Sequence, residues 1–307
     1  MGNILLLGAF IMLFVALEHS TRGFSWDHPL IIWLLVGCGI TTVVFMAWQW
    51  AKGDAALIPP RILKQRTVWA SCGAAFMIYA VLINLTFFFP IWFQAIKNET
   101  AMQSGVHMIP FFVTQSVFSL IGGAIVGKTG YATPPAVIGS AIGTIGLGLL
   151  TLLNPNTTTA QWVGFQVLTA AGFGLSIQQC FNAVQTMLAE SKDLTLATAA
   201  VAAAQSLGGA IFVSVGNSVF QHQLMKASAD NLLPGIDIRQ VIAAGATAFR
   251  DLIPAEQLPA MIQVYNKAIQ MVLIVPVPLG VLAVLIACFI EMRSVKPPKA
   301  NTNEESG

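Results

Sequence analysis

The stretch SGVHMIPFFVTQSVFSLIGGAIVGKTGYATPP, residues 104 to 135, can be read in two incompatible ways. Its residues Gly122 to Thr129, GGAIVGKT, match the phosphate-binding pattern G-x-x-x-x-G-K-[ST]. A phosphate loop needs a short buried strand ahead of the glycines and a helix starting behind them, so that backbone N–H groups curl around phosphate. Here the 24 residues from Ser104 to Gly127 contain no Asp, Glu, Lys or Arg and are far longer than a strand, and Pro134 and Pro135 interrupt any helix starting at Thr129. No strand ends in a magnesium-binding aspartate either, since Asp27, Asp54, Asp193, Asp230, Asp237 and Asp251 all fall between apolar runs. The stretch therefore reads as a membrane helix in which Gly122, Gly123 and Gly127 permit close helix approach and Lys128 marks the polar end. No nucleotide is expected to bind there.

The composition agrees with that reading. Hydrophobic residues make up 56%, charged residues only 9%, and the mean hydropathy is +0.74, whereas soluble domains carry about 25% charge. No charge occurs from Thr129 to Ala189, which is 61 residues. A helical span needs about 20, so this stretch holds two spans joined by a turn at NPNTTTA, 154 to 160. The net charge of +2 is dispersed and excludes a nucleic-acid reading. Cys38, Cys72, Cys180 and Cys288 sit singly in apolar runs, and His19, His28, His107 and His222 share no helical spacing. No metal and no cofactor are expected.

Apolar runs bounded by charges or turns predict an all-α, polytopic integral membrane protein with about eight transmembrane helices, near 2–17, 29–50, 67–89, 104–127, 132–153, 161–186, 196–220 and 268–290. The first run lacks a basic leader and a cleavage site and reads as a span, not a signal peptide. Lys52, Arg61, Lys64, Arg66, Lys128, Lys192, Arg293, Lys296 and Lys299 fall on one side, which the positive-inside rule makes cytoplasmic; the opposite short loops hold only Arg22 and Lys97. This divides the chain into 1–66, two helices and a cytoplasmic link; 67–290, six helices with a long extracellular loop at 221–267; and 291–307, a cytoplasmic tail. Asn98 and Asn156 head N-x-[ST] sequons on the outer side and are possible glycosylation sites. Asn84 heads another inside a span.

GGAIVGKTGY followed by PPAVIG resembles the second copy of the major facilitator cytoplasmic-loop motif, roughly G-x-x-x-D-R-x-G-R, with Gly123, Lys128 and Gly130 at its first glycine, basic residue and second glycine. Gly127 replaces the motif's Asp and Tyr131 a basic residue, so the charge relay ascribed to that loop is in doubt. ALIPPRILKQRTV, FFFPIWFQAI, SGVHMIPF, QSLGGAIFVSVGNSVFQ and VYNKAIQMVLIVPVPLG, in this order, resemble the fourteen-helix drug:proton antiporter branch, above all fungal efflux pumps of toxins and secondary metabolites. The resemblance implies that the first two spans are the extra pair between bundles, that the other six form the C-terminal bundle, and that the N-terminal bundle is missing. It implies a secondary active, proton-coupled exporter working by alternating access, in the plasma membrane or else the vacuolar membrane. The alternative is a truncated, non-transporting membrane fragment.

Polar groups inside a membrane usually face a bundle interior or a cavity. Gln178, Asn182 and Gln185 fall at i, i+4 and i+7, one stripe of one helix, with Gln179 to the side. By resemblance, Asn84 with Phe87 and Phe88, Phe111 with Gln115, and Gln205 lie on other cavity-lining helices. Amides among aromatics suit a small, largely apolar organic substrate. The alternative for the stripe is hydrogen bonding between helices. No carboxylate or lysine lies deep in a span, Glu18 and Glu291 being nearest, and no Asp, His or Cys cluster suggests an enzyme.

Overall fold

The computed structural model describes residues 2–21, 28–53, 59–230 and 232–292. Arg22, residues 54–58 of the link, and the tail from Arg293 onward, with Lys296 and Lys299, lie outside them. The described residues are α-helical throughout their regular parts: α1 Gly2–Thr21, α2 Pro29–Lys52, α3 Pro60–Leu63, α4 Arg66–Lys97, α5 Ala101–His107, α6 Ile109–Thr129, α7 Thr133–Leu150, α8 Thr159–Ile177, α9 Gln179–Met187, α10 Leu194–Ala229, α11 Ile238–Ala248, a 3-10 turn Phe249–Leu252, α12 Leu258–Ile274 and α13 Val277–Ala287.

Local chemistry sets the ends of these helices. Proline begins α2, α3 and α6 in the first turn, where its missing N–H costs nothing. At α5 the Thr100 hydroxyl accepts from Gln103 N and the Gln103 side chain accepts from Thr100 N, which satisfies two otherwise unpaired donors. Asn98 closes α4 and Gly130 closes α6 in the left-handed region, at φ 58° and 85°.

Helix α4 runs through the middle of the bundle and packs on α9, α10, α12 and α13. Its Phe88, Phe89, Trp92 and Phe93 are among the largest fully buried side chains. Around it, α8 lies between α6 and α7, and α1 pairs with α2 and touches α10. Small residues set the closest approaches. A Cβ on Gly172 of α8 would overlap the Gly143 backbone nitrogen of α7, and one on Gly208 of α10 would overlap the Phe76 carbonyl of α4. Within a bilayer such contacts act through dispersion between closely approaching backbones, because lipid removes the hydrophobic drive between helices.

Among the described residues, six helices, with α5–α6 and α12–α13 counted as joined pairs, are long and apolar enough to cross a membrane, and Ile4–His19 is a shorter apolar helix. The sequence reading expects eight spans; α8–α9 falls short because Gln161 and Gln166 lower its hydropathy and it divides at Gln178. Both amides find partners: Gln161 Oε1 accepts from Thr158 N at 2.9 Å, and Gln166 Nε2 donates to the His107 carbonyl at 3.2 Å, while Gln166 Oε1 is enclosed with no hydrogen-bond partner among the described residues. Composition counts their polarity but not their partners.

The segment 221–267, read as one long loop, is largely helical. Helix α10 continues through Ala229 because Phe220, Leu224 and Ala227 bury one stripe between the polar residues. Phe220 and Leu224 form an apolar cap with Ile238, Val241, Phe249 and Tyr265 that is continuous with the main core; the Phe249 and Tyr265 rings stack at 4.9 Å and Phe220 meets Tyr265 at 5.1 Å. Arg250 fastens this cap to the bundle by donating to the Ala95 and Ile96 carbonyls at 2.8 and 3.3 Å, at the negative end of α4. Burial lowers the pKa of this guanidinium from its ordinary value. Arg250→Ala is expected to loosen the cap by about 1–3 kcal/mol, seen as faster amide exchange across 238–252 while α7 and α8 stay protected. Unchanged exchange would show the cap to be held by its rings alone.

Candidate functional site

The polar stripe begins where α8 gives way to α9. Gln178 sits at that junction with φ −73° and ψ −22°, and both it and Gln185 are exposed, with Asn182 half-buried between them. Asn182 Nδ2 donates to Gln179 Oε1 at 2.9 Å, and Gln179 Nε2 donates to the Leu175 carbonyl at 3.0 Å. Gln179 itself is fully buried. A Cβ at Gly122 would lie 2.7 Å from Gln179 Nε2, so this glycine of the phosphate-loop match is the space into which a membrane-buried amide fits. The arrangement is two-layered: Gln179 ties α9 to α8, and Asn182 links it to an outward row of amides.

The other candidates divide by burial. Phe87 is 51% exposed and Gln115 is half-buried, whereas Asn84, Phe88, Phe111 and Gln205 lie in the core. Asn84 Nδ2 donates to the Phe212 carbonyl of α10 at 3.0 Å, in space left by Gly216. Its Oδ1 is enclosed and has no hydrogen-bond partner among the described residues. Asn84 and Phe88 thus hold α4 to α10, and the structure does not bring them onto an open face. Phe88 meets Phe87 edge-on at 5.1 Å and fixes where that exposed ring stands. Cavities of about 250 and 360 Å³ occur at the C-terminal end of α10, the first lined by Gln223, Lys226 and Lys267 and the second by Met225 and Arg239. Neither includes the α9 stripe.

At the loop motif, Gly123 is half-buried within α6, Lys128 is exposed in its last turn, and Gly130 donates its N–H to the Val126 carbonyl at 2.7 Å. The helix ends where a phosphate loop would begin one, so its terminal carbonyls, not its N–H groups, are presented there. Asn98 and Asn156 are both exposed. They lie at the same end of the bundle, where Lys97 Nζ donates to the Pro155 and Thr157 carbonyls at 2.9 and 2.8 Å.

Sequence reasoning passed over a polar knot at this end. Trp92 Nε1 donates to Asn266 Oδ1 at 2.9 Å, and Asn266 Nδ2 donates to the Leu153 carbonyl at 3.3 Å, joining α4, α12 and the end of α7 inside the core. Beside it, the Glu99 carboxylate lies 2.7 Å from His107 Nδ1, and the His107 ring packs at 5.0 Å from Phe93 and 4.9 Å from Trp162. No local signal pointed to it, since Asn266 falls in the stretch read as a loop and Trp92 lies 174 residues away.

No family model matches the chain. Individual proteins do. The efflux pump roqT of Penicillium rubens is 38% identical over 308 aligned positions, covering 100% of this chain and 57% of its own length. The MFS-type transporter astH of Aspergillus oryzae is 38% identical over 96% of this chain and 52% of its own length. The aspyridones efflux protein of Neocamarosporium betae is 34% identical over 98% and 53%. The chain thus spans about half the length of the curated relatives it matches. In fold, it resembles the crystal structure of a bacterial homologue of the human lysosomal transporter Spinster, with a TM-score of 0.61, 13% identity, and coverage of 92% of this chain and 66% of that one. A helical bundle joined through small residues and continuous similarity to transporters along its whole length agree with one another: this chain is similar from end to end to about half of each of several fungal MFS-type transporters.

Proposed function

We propose that the chain supplies one wall of an efflux transporter that exports a small, largely apolar secondary metabolite by alternating access. The observation that carries this reading is the α9 row, Gln178, Asn182 and Gln185, turned outward from the packed bundle of a chain whose relatives are named efflux pumps. An outward amide in a bilayer without a partner costs a few kcal/mol, which favours a wet or substrate-filled space beside it. Phe87 and Gln115 contribute contacts from α4 and α6, while Asn84, Phe88, Phe111 and Gln205 hold the wall in shape. The relatives it matches are transporters and not enzymes.

The finer assignments are ours as well: residues 1–66 form the linker pair and link, 67–290 one six-helix bundle, and 291–307 a tail; the protein sits in the plasma membrane; and the end bearing Arg61, Lys64, Lys128 and Lys192 faces the cytoplasm. On that orientation Asn98 and Asn156 face outward, open to glycosylation. Single cysteines placed at 64 and 156 should be labelled by an impermeant reagent in intact cells only at 156; labelling at 64 would invert the topology.

For transport, this chain would be co-expressed with the part of the Penicillium relative that it does not match. In vesicles, an imposed proton gradient should drive dye export without ATP. Gln178→Leu or Gln185→Leu should reduce export about three- to tenfold at unchanged abundance, since a lost hydrogen bond is worth roughly 0.5–1.5 kcal/mol. Parallel loss of abundance and export would make the row a packing surface and remove it from the site.

A further inference from the structure

Helix α2 packs against α1 but leaves most of its surface open. Trp33, Val36, Ile40, Val43, Met46 and Trp50 are all exposed and recur every three or four residues, forming one apolar stripe about 26 Å long at 1.5 Å per residue. That is close to the thickness of a hydrocarbon layer, about 30 Å. The stripe ends at a concavity of about 260 Å³ between α2 and α3, bounded by Trp50, Gly53, Pro60, Arg61 and Lys64. Lys64 Nζ stands 5.7 Å from the centre of the Trp50 ring, and Lys52 Nζ 5.1 Å from that of Trp48. Gly53 leaves open space there, since a Cβ on it would find nothing within 4 Å.

We infer that this is a binding site for an anionic phospholipid, with the headgroup phosphate in the concavity and the acyl chains along the α2 stripe. Charge favours this occupant. Between 52 and 66 lie four basic residues, Lys52, Arg61, Lys64 and Arg66, against one acidic residue, Asp54. Arg61 is paired with Asp193 at 2.9 Å, but among the described residues neither Lys52 nor Lys64 has a carboxylate within ion-pair distance. Tryptophan rings settle at headgroup depth and hold the two ammonium groups there, where an anionic leaflet is most negative. The apolar stripe argues for lipid over a soluble phosphate, because it gives chains a surface only when they are attached to the headgroup. The inference rests on the chain lying in a bilayer and is independent of export.

The test uses the 307-residue chain in phosphatidylcholine nanodiscs doped with brominated phosphatidylserine or, at equal mole fraction, brominated phosphatidylcholine. The part of the tryptophan quenching that disappears in Trp50→Phe reports on this site. Brominated phosphatidylserine should quench it several-fold more strongly; Lys64→Gln should reduce that preference about fivefold, the worth of one lysine near a charged surface, and Lys64→Arg should retain it, which separates loss of charge from loss of fold. Glycerophosphoserine at millimolar concentration should leave the quenching unchanged. Equal quenching by both lipids, or no quenching at Trp50 because protein covers the stripe, would overturn the proposal, as would reversal by the soluble headgroup, which would make the site a phosphate pocket instead.

Discussion

Gly172→Val is expected to abolish recovery of folded protein, with Gly172→Ala already giving an unstable product. The α7–α8 contact has no slack: Gly139, Gly143 and Gly146 face Gly172, Thr169 and Phe173, and a Cβ at 172 would meet backbone atoms of both Gly139 and Gly143. Backbone cannot rotate away as a side chain can. The helices would have to separate by more than an ångström, which forfeits much of the dispersion energy along the whole seam. Overpacking alone costs about 1–3 kcal/mol, and the added isopropyl group raises that further, against a total stability of roughly 5–15 kcal/mol. Fluorescence-detected size exclusion should show aggregate in place of the sharp wild-type peak. Gly148→Ala is the control, since a Cβ there finds nothing within 4 Å. A normal peak from Gly172→Val would mean that α7 and α8 pack differently.

Asn266→Leu should lower stability by about 3–5 kcal/mol, more than a typical hydrogen bond. The substitution leaves the Trp92 indole N–H buried without an acceptor and takes one donor from the Leu153 carbonyl, which retains Gln270 Nε2. Trp92 is fully buried, so water cannot replace the lost partner. The informative variant is the pair. Trp92→Phe combined with Asn266→Leu removes both members of the hydrogen bond and should recover part of the loss, so the two single costs should exceed the double cost by about 1–3 kcal/mol. Thermal unfolding in detergent reads all three. Strict additivity would mean that the Trp92–Asn266 bond contributes nothing.

Most spans were legible because lipid imposes a severe rule on composition: long apolar runs bounded by charges, with 61 uncharged residues around one turn. The end of an apolar helix at GGAIVGKT was also legible, since the preceding run is far too long for a strand, and Gly130 at φ 85° is that helix's stop. Less legible are polar side chains that meet a distant partner. Gln166 finds the His107 carbonyl 59 residues away, and nothing in its neighbourhood announces this. The helical cap after Phe220 was illegible for a related reason, because Phe220 and Phe249 both pack on Tyr265, contacts that no local window contains.

The candidate site was legible as chemistry and not as orientation. Gln178 and Gln179 are adjacent and of identical type, and on a helix they point about 100° apart. Which of them faces inward is decided by the vacancy at Gly122 on another helix. Asn84 went to the core by the same logic, into the space left by Gly216. A sequence can show that a membrane helix carries amides, but the neighbouring helix decides which amide it accommodates.

Helix α7 has 18 residues, about 27 Å, beside α4 with 32 and α10 with 36. Ile138 and Ile145, exposed one above the other, turn its flank to the surroundings. A membrane near 27 Å thick matches this flank, whereas one of 32–33 Å must compress by about 5 Å to meet it, at a fraction of a kcal/mol per ångström. The glycine seam that binds α7 to α8 prevents α7 from relieving the mismatch by tilting alone, so the strain passes to the lipids. Short-chain lipids should gather along Ile138 and Ile145, and residence in thin or thick compartments of the cell should respond to the length of this one helix.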